Sequence, residues 1–177
     1  MKTAEKIKGI PLSGEYEEII FDLPEPWRED SWNYVKFTTT DWIDWCGVFR
    51  QYQGSNFLLG VLPEKGIACV VSGGHAYIID IDNKEKIKDI KFDVIIDLYA
   101  DKQTNTFYIS SWWDVVKIDD KLNEIKVPVP LECDGIFFKE TNERTLKLEI
   151  EEIGMEHNKN LDYSIDLNEG RIIKNDL

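Results

Sequence analysis

What the sequence lacks narrows its reading first. No stretch approaches the roughly 20 consecutive apolar residues that a bilayer-spanning helix needs, which excludes an integral helical membrane protein. Cysteine occurs only three times, as Cys46, Cys69 and Cys133, far apart and without a C-x-x-C pair. Neither a disulfide framework nor a structural zinc site is supported by that pattern. Cys69, inside the run Ile67-Ala68-Cys69-Val70-Val71, reads as a small buried hydrophobe. Bases are scarce: 21 Lys and Arg stand against 34 Asp and Glu, a net charge of −13. Nucleic-acid backbones and anionic membrane surfaces both recruit Lys and Arg, so neither is an expected partner. No apolar stretch follows Met1-Lys2-Thr3-Ala4-Glu5-Lys6-Ile7-Lys8, so no signal peptide is expected. Reduced thiols and a cytoplasmic address follow as expectations.

What is present suits a packed protein. Of 177 residues, 42% are apolar and 12% aromatic, which is incompatible with disorder along the whole chain. The length fits one domain over 1–177, with residues 1–14, punctuated by Gly9, Pro11 and Gly14, as a loosely held terminus.

The pattern is that of strands. Short apolar runs cover Tyr16 to Phe21, Tyr34 to Thr39, Val48 to Tyr52, Phe57 to Leu62 and Ile67 to Val71. Ser72-Gly73-Gly74 is a tight turn, since paired glycines supply the positive φ that such turns need. Further runs are Ala76 to Ile81, Val94 to Tyr99, Thr106 to Ile109, Trp113 to Ile118 and Glu124 to Val127. Leu146-Lys147-Leu148-Glu149-Ile150-Glu151 alternates apolar and charged residues, as a half-solvated strand must, and Tyr163-Ser164-Ile165-Asp166-Leu167 repeats the pattern. About a dozen short strands with turns every 8–12 residues predict an all-β fold. Helix is confined to one turn over Asp41–Cys46, with Thr40 as its cap. Lys84–Ile90, where Ile87 and Ile90 stand three apart, is a weaker second candidate.

Three segments resemble one another: Tyr77 to Asn83, Val115 to Asp120 and Tyr163 to Glu169. Each is a strand that closes on an aliphatic residue followed by Asp or Asn. Their aligned positions Asp82, Asp119 and Asn168 lie 37 and 49 residues apart, near the ~40–50 residues of a four-stranded propeller blade. The stretch Ala100 to Ser110, running on through Val115-Val116-Lys117-Ile118-Asp119, resembles a blade of the YVTN or quinoprotein-type β-propeller repeats: Asp, a polar turn, Thr-Asn, then two strands that close on Asp. The match extends weakly over 37–174. It implies antiparallel four-stranded meanders, with a two-sheet sandwich as the alternative. No quinone-binding motif accompanies it, and no cofactor is expected. Gly74-His75 and Trp113-Asp114 echo landmarks of WD repeats, but occur once and are read as coincidence.

No catalytic constellation stands out. His75 and Cys69 lack a third partner, and His157 lies in a polar loop. Asp80, Asp82 and Asn83 lack the glycine and glutamate of a calcium loop and are read as turn formers, so no metal is expected. Two features remain as binding candidates. One is the acidic stretch from Glu15 to Asp30, with Glu25, Glu29 and Asp30 at its end. The other is the tryptophans, which anchor interfaces when exposed. Asp41-Trp42-Ile43-Asp44-Trp45 is an acidic–aromatic unit, and Trp112-Trp113 sit side by side on an expected strand. Trp112 is expected to be exposed, while core packing is expected for Trp42, Trp45 and Trp113. Acidic, small and without a catalytic set, the chain reads as a non-catalytic interaction protein for a basic protein partner, for instance an immunity protein that neutralises a basic toxin. A carbohydrate-binding module or a carboxylate-based hydrolase is the alternative.

Overall fold

The computed structural model describes residues 2–21, 31–51, 56–90, 94–142, 144–153 and 159–175. It is all-β, and the described residues contain no helix, hence none long and apolar enough to cross a membrane. The chain divides into two compact units, Met1–Asp93 and Val94–Leu177.

The first unit holds two four-stranded sheets. One comprises β1 (Thr3–Ile7), β2 (Glu17–Phe21), β3 (Ser31–Thr38) and β4 (Asp44–Gln51) in the order β1-β3-β4-β2. There β2 runs parallel to β4, whereas the other pairs are antiparallel. The other sheet is a plain antiparallel meander of β5 (Leu58–Leu62), β6 (Ile67–Ser72), β7 (His75–Asp80) and β8 (Glu85–Ile90). Strand alternation sends Val35, Phe37, Trp45 and Phe49 from the first sheet against Ala68, Val70, Tyr77 and Ile79 of the second. Phe37 stacks on Trp45 with ring centroids 4.4 Å apart, and Phe21 on Phe49 at 5.1 Å. Gly47 makes room for this cluster: a Cβ there would lie 2.7 Å from the Phe37 ring and 2.8 Å from that of Phe49. The strand β6 is buried along its whole length, which is why it reads as an unbroken apolar run.

The second unit contains two antiparallel meanders. They are β9 (Asp97–Asp101), β10 (Thr106–Ser110), β11 (Val115–Ile118) and β12 (Glu124–Val127), then β13 (Cys133–Thr141), β14 (Thr145–Glu152), β15 (Lys159–Asp166) and β16 (Arg171–Lys174). Tyr108, Val115 and Val127 of the first share a core with Ile136, Leu146, Leu148, Ile150, Tyr163 and Ile165 of the second. Polar ties also join these sheets. The Phe138 N–H donates to Asp97 at 3.0 Å, and the Ser110 hydroxyl donates to the Ile136 carbonyl at 2.7 Å.

Three local expectations change. Asp41–Cys46 is not helical: it spans the β3–β4 turn and the start of β4, and pairing with β3 overrides the helical spacing of its tryptophans. Lys84–Ile90 forms β8. Lys86 and Lys88 face the consecutive residues Ile79 and Ile78, so Ile87 is the extra residue of a bulge, which explains the spacing of Ile87 and Ile90. Thr3–Ile7, within the stretch expected to be loosely held, is paired along its length with β3.

Two candidate interaction sites, one on a hairpin tip of each unit

The β3–β4 connection builds the first tip. Thr39 organises it: its N–H donates to the Ile43 carbonyl (3.0 Å), its carbonyl accepts the Trp42 N–H (3.2 Å), and its hydroxyl accepts the Ile43 N–H (3.1 Å). That closure forces Trp42 to φ +62°, the left-handed region that non-glycine residues rarely occupy. Trp42 is therefore pushed outward and is 75% exposed, with Ile43 at 53%. Core packing, expected for Trp42, does not occur because its place is on a turn. Asp41 is exposed beside it, and Asp44 accepts the Thr38 hydroxyl at 2.7 Å. Asp82 buttresses the tip by accepting the Thr40 N–H (2.9 Å) and hydroxyl (2.9 Å) while pairing with Lys2 at 2.8 Å. The Lys2 ammonium and the Thr40 N–H hold the Asp82 carboxyl below its ordinary range. Trp45, two residues into the strand, is wholly buried as expected and is not part of the surface. Glu25, Glu29 and Asp30 lie outside the described residues.

The β10–β11 connection builds the second tip. Ser111 donates its N–H to the Asp114 carbonyl (2.9 Å), and its hydroxyl oxygen accepts the N–H groups of Trp113 (3.2 Å) and Asp114 (2.9 Å). A turn, unlike a strand, does not send adjacent side chains to opposite faces. Both tryptophans are consequently exposed, and Trp113 (53%) more so than Trp112 (36%), the reverse of the expected order. The Cys133 thiol donates to the Trp112 carbonyl at 3.4 Å and anchors the tip from beneath. Asp114 pairs with Lys126 at 2.6 Å. Burial raises the Cys133 pKa, and the nearby charges of Asp114 and Asp134 raise it further.

The repeated segments are structurally equivalent. They are β7, β11 and β15, the third strand of three successive meanders. The Asp that caps each turn, however, is Asp80, Asp119 and Asp166 rather than the aligned Asp82, Asp119 and Asn168. Asp80 accepts the N–H groups of Asp82 and Asn83, Asp119 those of Lys121 and Asn123, and Asp166 those of Asn168 and Glu169. At the end of β9, Asp101 caps its turn by accepting the Gln103 N–H and the Thr104 hydroxyl. Asp80, Asp101 and Asp166 each precede by four residues a position of positive φ: Lys84, Asn105 and Gly170. The aliphatic residues next to two caps are buried and bond into the neighbouring turn, Ile81 to the Gly66 carbonyl and Leu167 to that of Arg144. The sequence signal for these caps is an Asp followed four positions later by Gly, Asn or Lys. Aligning on the second acid missed it.

These bonds also occupy the oxygens that a cation would need. Asp80 takes three N–H donors and Asp82 is engaged by Lys2 and Thr40. Among the described residues no group of three His, Cys, Asp or Glu is placed to hold a metal ion. Cys69 and His75 do not form a pair: Cys69 lies opposite Ile78 and His75 opposite Ser72. Burial pushes the Cys69 thiol far up, away from a nucleophilic thiolate. On the last sheet a groove of about 610 Å³ carries Lys139, Lys147, Lys174, Glu140, Asp162 and Asn160, and no tryptophan lines it. No protein-family model, curated protein or solved structure matches this chain.

Proposed function

We propose that the protein is a non-catalytic, cytoplasmic interaction domain that binds a basic protein partner through the aromatic–acidic hairpin tip of Trp112, Trp113 and Asp114, the concrete form being an immunity protein that neutralises a cationic toxin. The observation that carries this reading is the exposure of Trp112 and Trp113 on a turn rigidly tied by Ser111 and flanked by Asp114. Tryptophans of this kind anchor interfaces, and lysine or arginine side chains are drawn both to their faces and to the adjacent carboxylates. The net charge of −13 would steer a cationic partner toward the surface. The three meanders with a common third-strand motif support a blade-like reading of the sheets. The hydrolase alternative asks for a pocket that joins two carboxylates to a tryptophan, and the groove with Glu140 and Asp162 lacks the tryptophan.

The test is the association rate with a purified basic partner, followed as salt shortens the Debye length from about 30 Å at 0.01 M to about 8 Å at 0.15 M. The on-rate is expected to fall steeply, and Trp113→Ala and Trp112→Ala to speed dissociation about tenfold or more. Salt-independent association, or dissociation unaltered in both variants, would overturn the proposal.

A further inference from the structure

The β3–β4 turn has a twin in the β11–β12 turn. In each, the first residue donates its N–H to the carbonyl four positions on, and its own carbonyl accepts the N–H three positions on. Thr39 makes these bonds with Ile43 (3.0 Å) and Trp42 (3.2 Å), Asp119 with Asn123 (3.1 Å) and Leu122 (2.9 Å). In each, the fourth residue is held at positive φ, +62° at Trp42 and +64° at Leu122. Glycine or asparagine suits such a position, because other side chains are strained in the left-handed region. Leu122 is partly buried, whereas Trp42 stands 75% exposed and belongs to neither core cluster. No core packing offsets the strain at Trp42. A large aromatic side chain held outward in a costly conformation is the kind of strain that gathers at functional sites.

The charges around this tip are unevenly matched. Lys36 pairs with Glu5 at 2.7 Å and lies 3.8 Å from Asp44, and Lys2 pairs with Asp82 at 2.8 Å. Lys84, two residues beyond Asp82, is held by Glu17. Each of these cations is already committed to a carboxylate. Asp41 is exposed beside Trp42 and has no hydrogen-bond or ion-pair partner among the described residues. The second tip differs, since its Asp114 already holds Lys126. The β3–β4 tip thus offers an exposed indole, an unpaired carboxylate next to it in the chain, and the aliphatic surface of Ile43, 53% exposed. What this set lacks is a cation with an apolar stem.

We propose that the β3–β4 tip is a docking site of the first unit for an arginine side chain on a basic protein, the guanidinium stacking on the Trp42 indole and pairing with Asp41 while Ile43 meets the aliphatic stem. A guanidinium is planar, permanently charged and weakly hydrated, stacks on aromatic faces and fits a carboxylate with its fork of N–H donors; an ammonium is compact and strongly hydrated. Thr39 closes the turn from within and Asp82 holds Thr40 from the neighbouring sheet, so the indole is presented without a loop having to order first. The site goes beyond the Trp112–Trp113 tip of the second unit, and either stands or falls without the other.

The experiment is an NMR titration of the full chain with the capped peptide acetyl-Gly-Leu-Arg-Gly-amide, reading the indole N–H signals of Trp42, Trp112 and Trp113 in one spectrum. The same peptide with citrulline keeps the shape but loses the charge, and a lysine version keeps the charge but loses the plane. A saturable shift of the Trp42 indole is expected with arginine, with affinity about tenfold lower for citrulline and several-fold lower for lysine. Asp41→Asn should weaken arginine binding several-fold and flatten its dependence on salt. Trp42→Asn, suited to the positive φ, should abolish saturable shifts at the Asp41 and Ile43 amides while the denaturation midpoint does not fall. No saturation at the Trp42 indole, equal affinity for citrulline, or unchanged affinity in Asp41→Asn would overturn the proposal. Shifts confined to the Trp112 and Trp113 indoles would also overturn it, while leaving the second unit's site in place.

Discussion

Trp45 donates its indole N–H to the backbone carbonyl of Ile81 at 2.9 Å, and this buried bond joins the two sheets of the first unit. Ile81 in turn donates its own N–H to the Gly66 carbonyl at 3.0 Å, so one residue fixes both a tryptophan and a turn. Trp45→Phe keeps the stacking on Phe37 and orphans the carbonyl, for an expected loss of about 1–3 kcal/mol. Trp45→Ala also removes the ring and should cost about 3–5 kcal/mol. Chemical denaturation of both variants checks the order; a Phe variant as stable as the parent would show that the bond contributes nothing.

Trp42 should behave in the opposite way. It is exposed and held in the left-handed region. Asparagine tolerates that conformation, so Trp42→Asn is expected to raise stability by about 0.5–1 kcal/mol. If the same substitution weakens partner binding, the strain serves the surface rather than the fold.

Gly47 faces the core between two rings. Gly47→Ala must displace Phe37 or Phe49, both wholly buried, and is expected to destabilise by about 1–3 kcal/mol. The measurement is the shift in urea midpoint, with little change in its slope.

The thiols should be inert in the folded protein. Burial pushes Cys46 up to about 11 and raises Cys69 and Cys133 as well. A thiol-specific reagent at mildly alkaline pH is expected to modify none of the three in the native state and all three after unfolding. Fast native labelling of Cys133 would mean that the Trp112–Trp113 tip opens readily.

Two carboxylates give pH dependences of opposite sign. Asp82 is held low, by Lys2 first and the Thr40 N–H second, so its contribution is present above the ordinary carboxylate range and is lost as pH falls through it. Asp97 is raised, by burial that outweighs the N–H groups of Leu98 and Phe138, so stability declines as pH rises from the ordinary range through its folded value. In urea unfolding across an acidic pH series, Asp82→Asn should flatten the acid loss, whereas Asp97→Asn should remove the decline on the way to neutrality.

The all-β class was legible because alternation and turn residues act locally. Leu146, Leu148 and Ile150 face the core as their spacing requires. What stayed hidden lies where that locality ends. β13 is broken by two register shifts, between Cys133 and Ile136 and between Phe138 and Thr141, which scramble its alternation. The bulge at Ile87 gave β8 a helix-like spacing. Side-chain direction at Trp42 and Trp113 depends on turn closure by Thr39 and Ser111, which hydrophobic periodicity does not encode.

The strand order β1-β3-β4-β2 sets how the first sheet can come together. In the other three sheets each strand finds its partner in the one made just before it. Here β1 and β2 emerge from the ribosome before β3 and β4, yet their seats lie on opposite flanks of the hairpin that those two form. The β3–β4 hairpin is thus the platform, and the amino-terminal segment must wait and then clasp it from both sides. Removing that segment would bare two flanks of backbone at once, leaving a template for runaway strand pairing between chains.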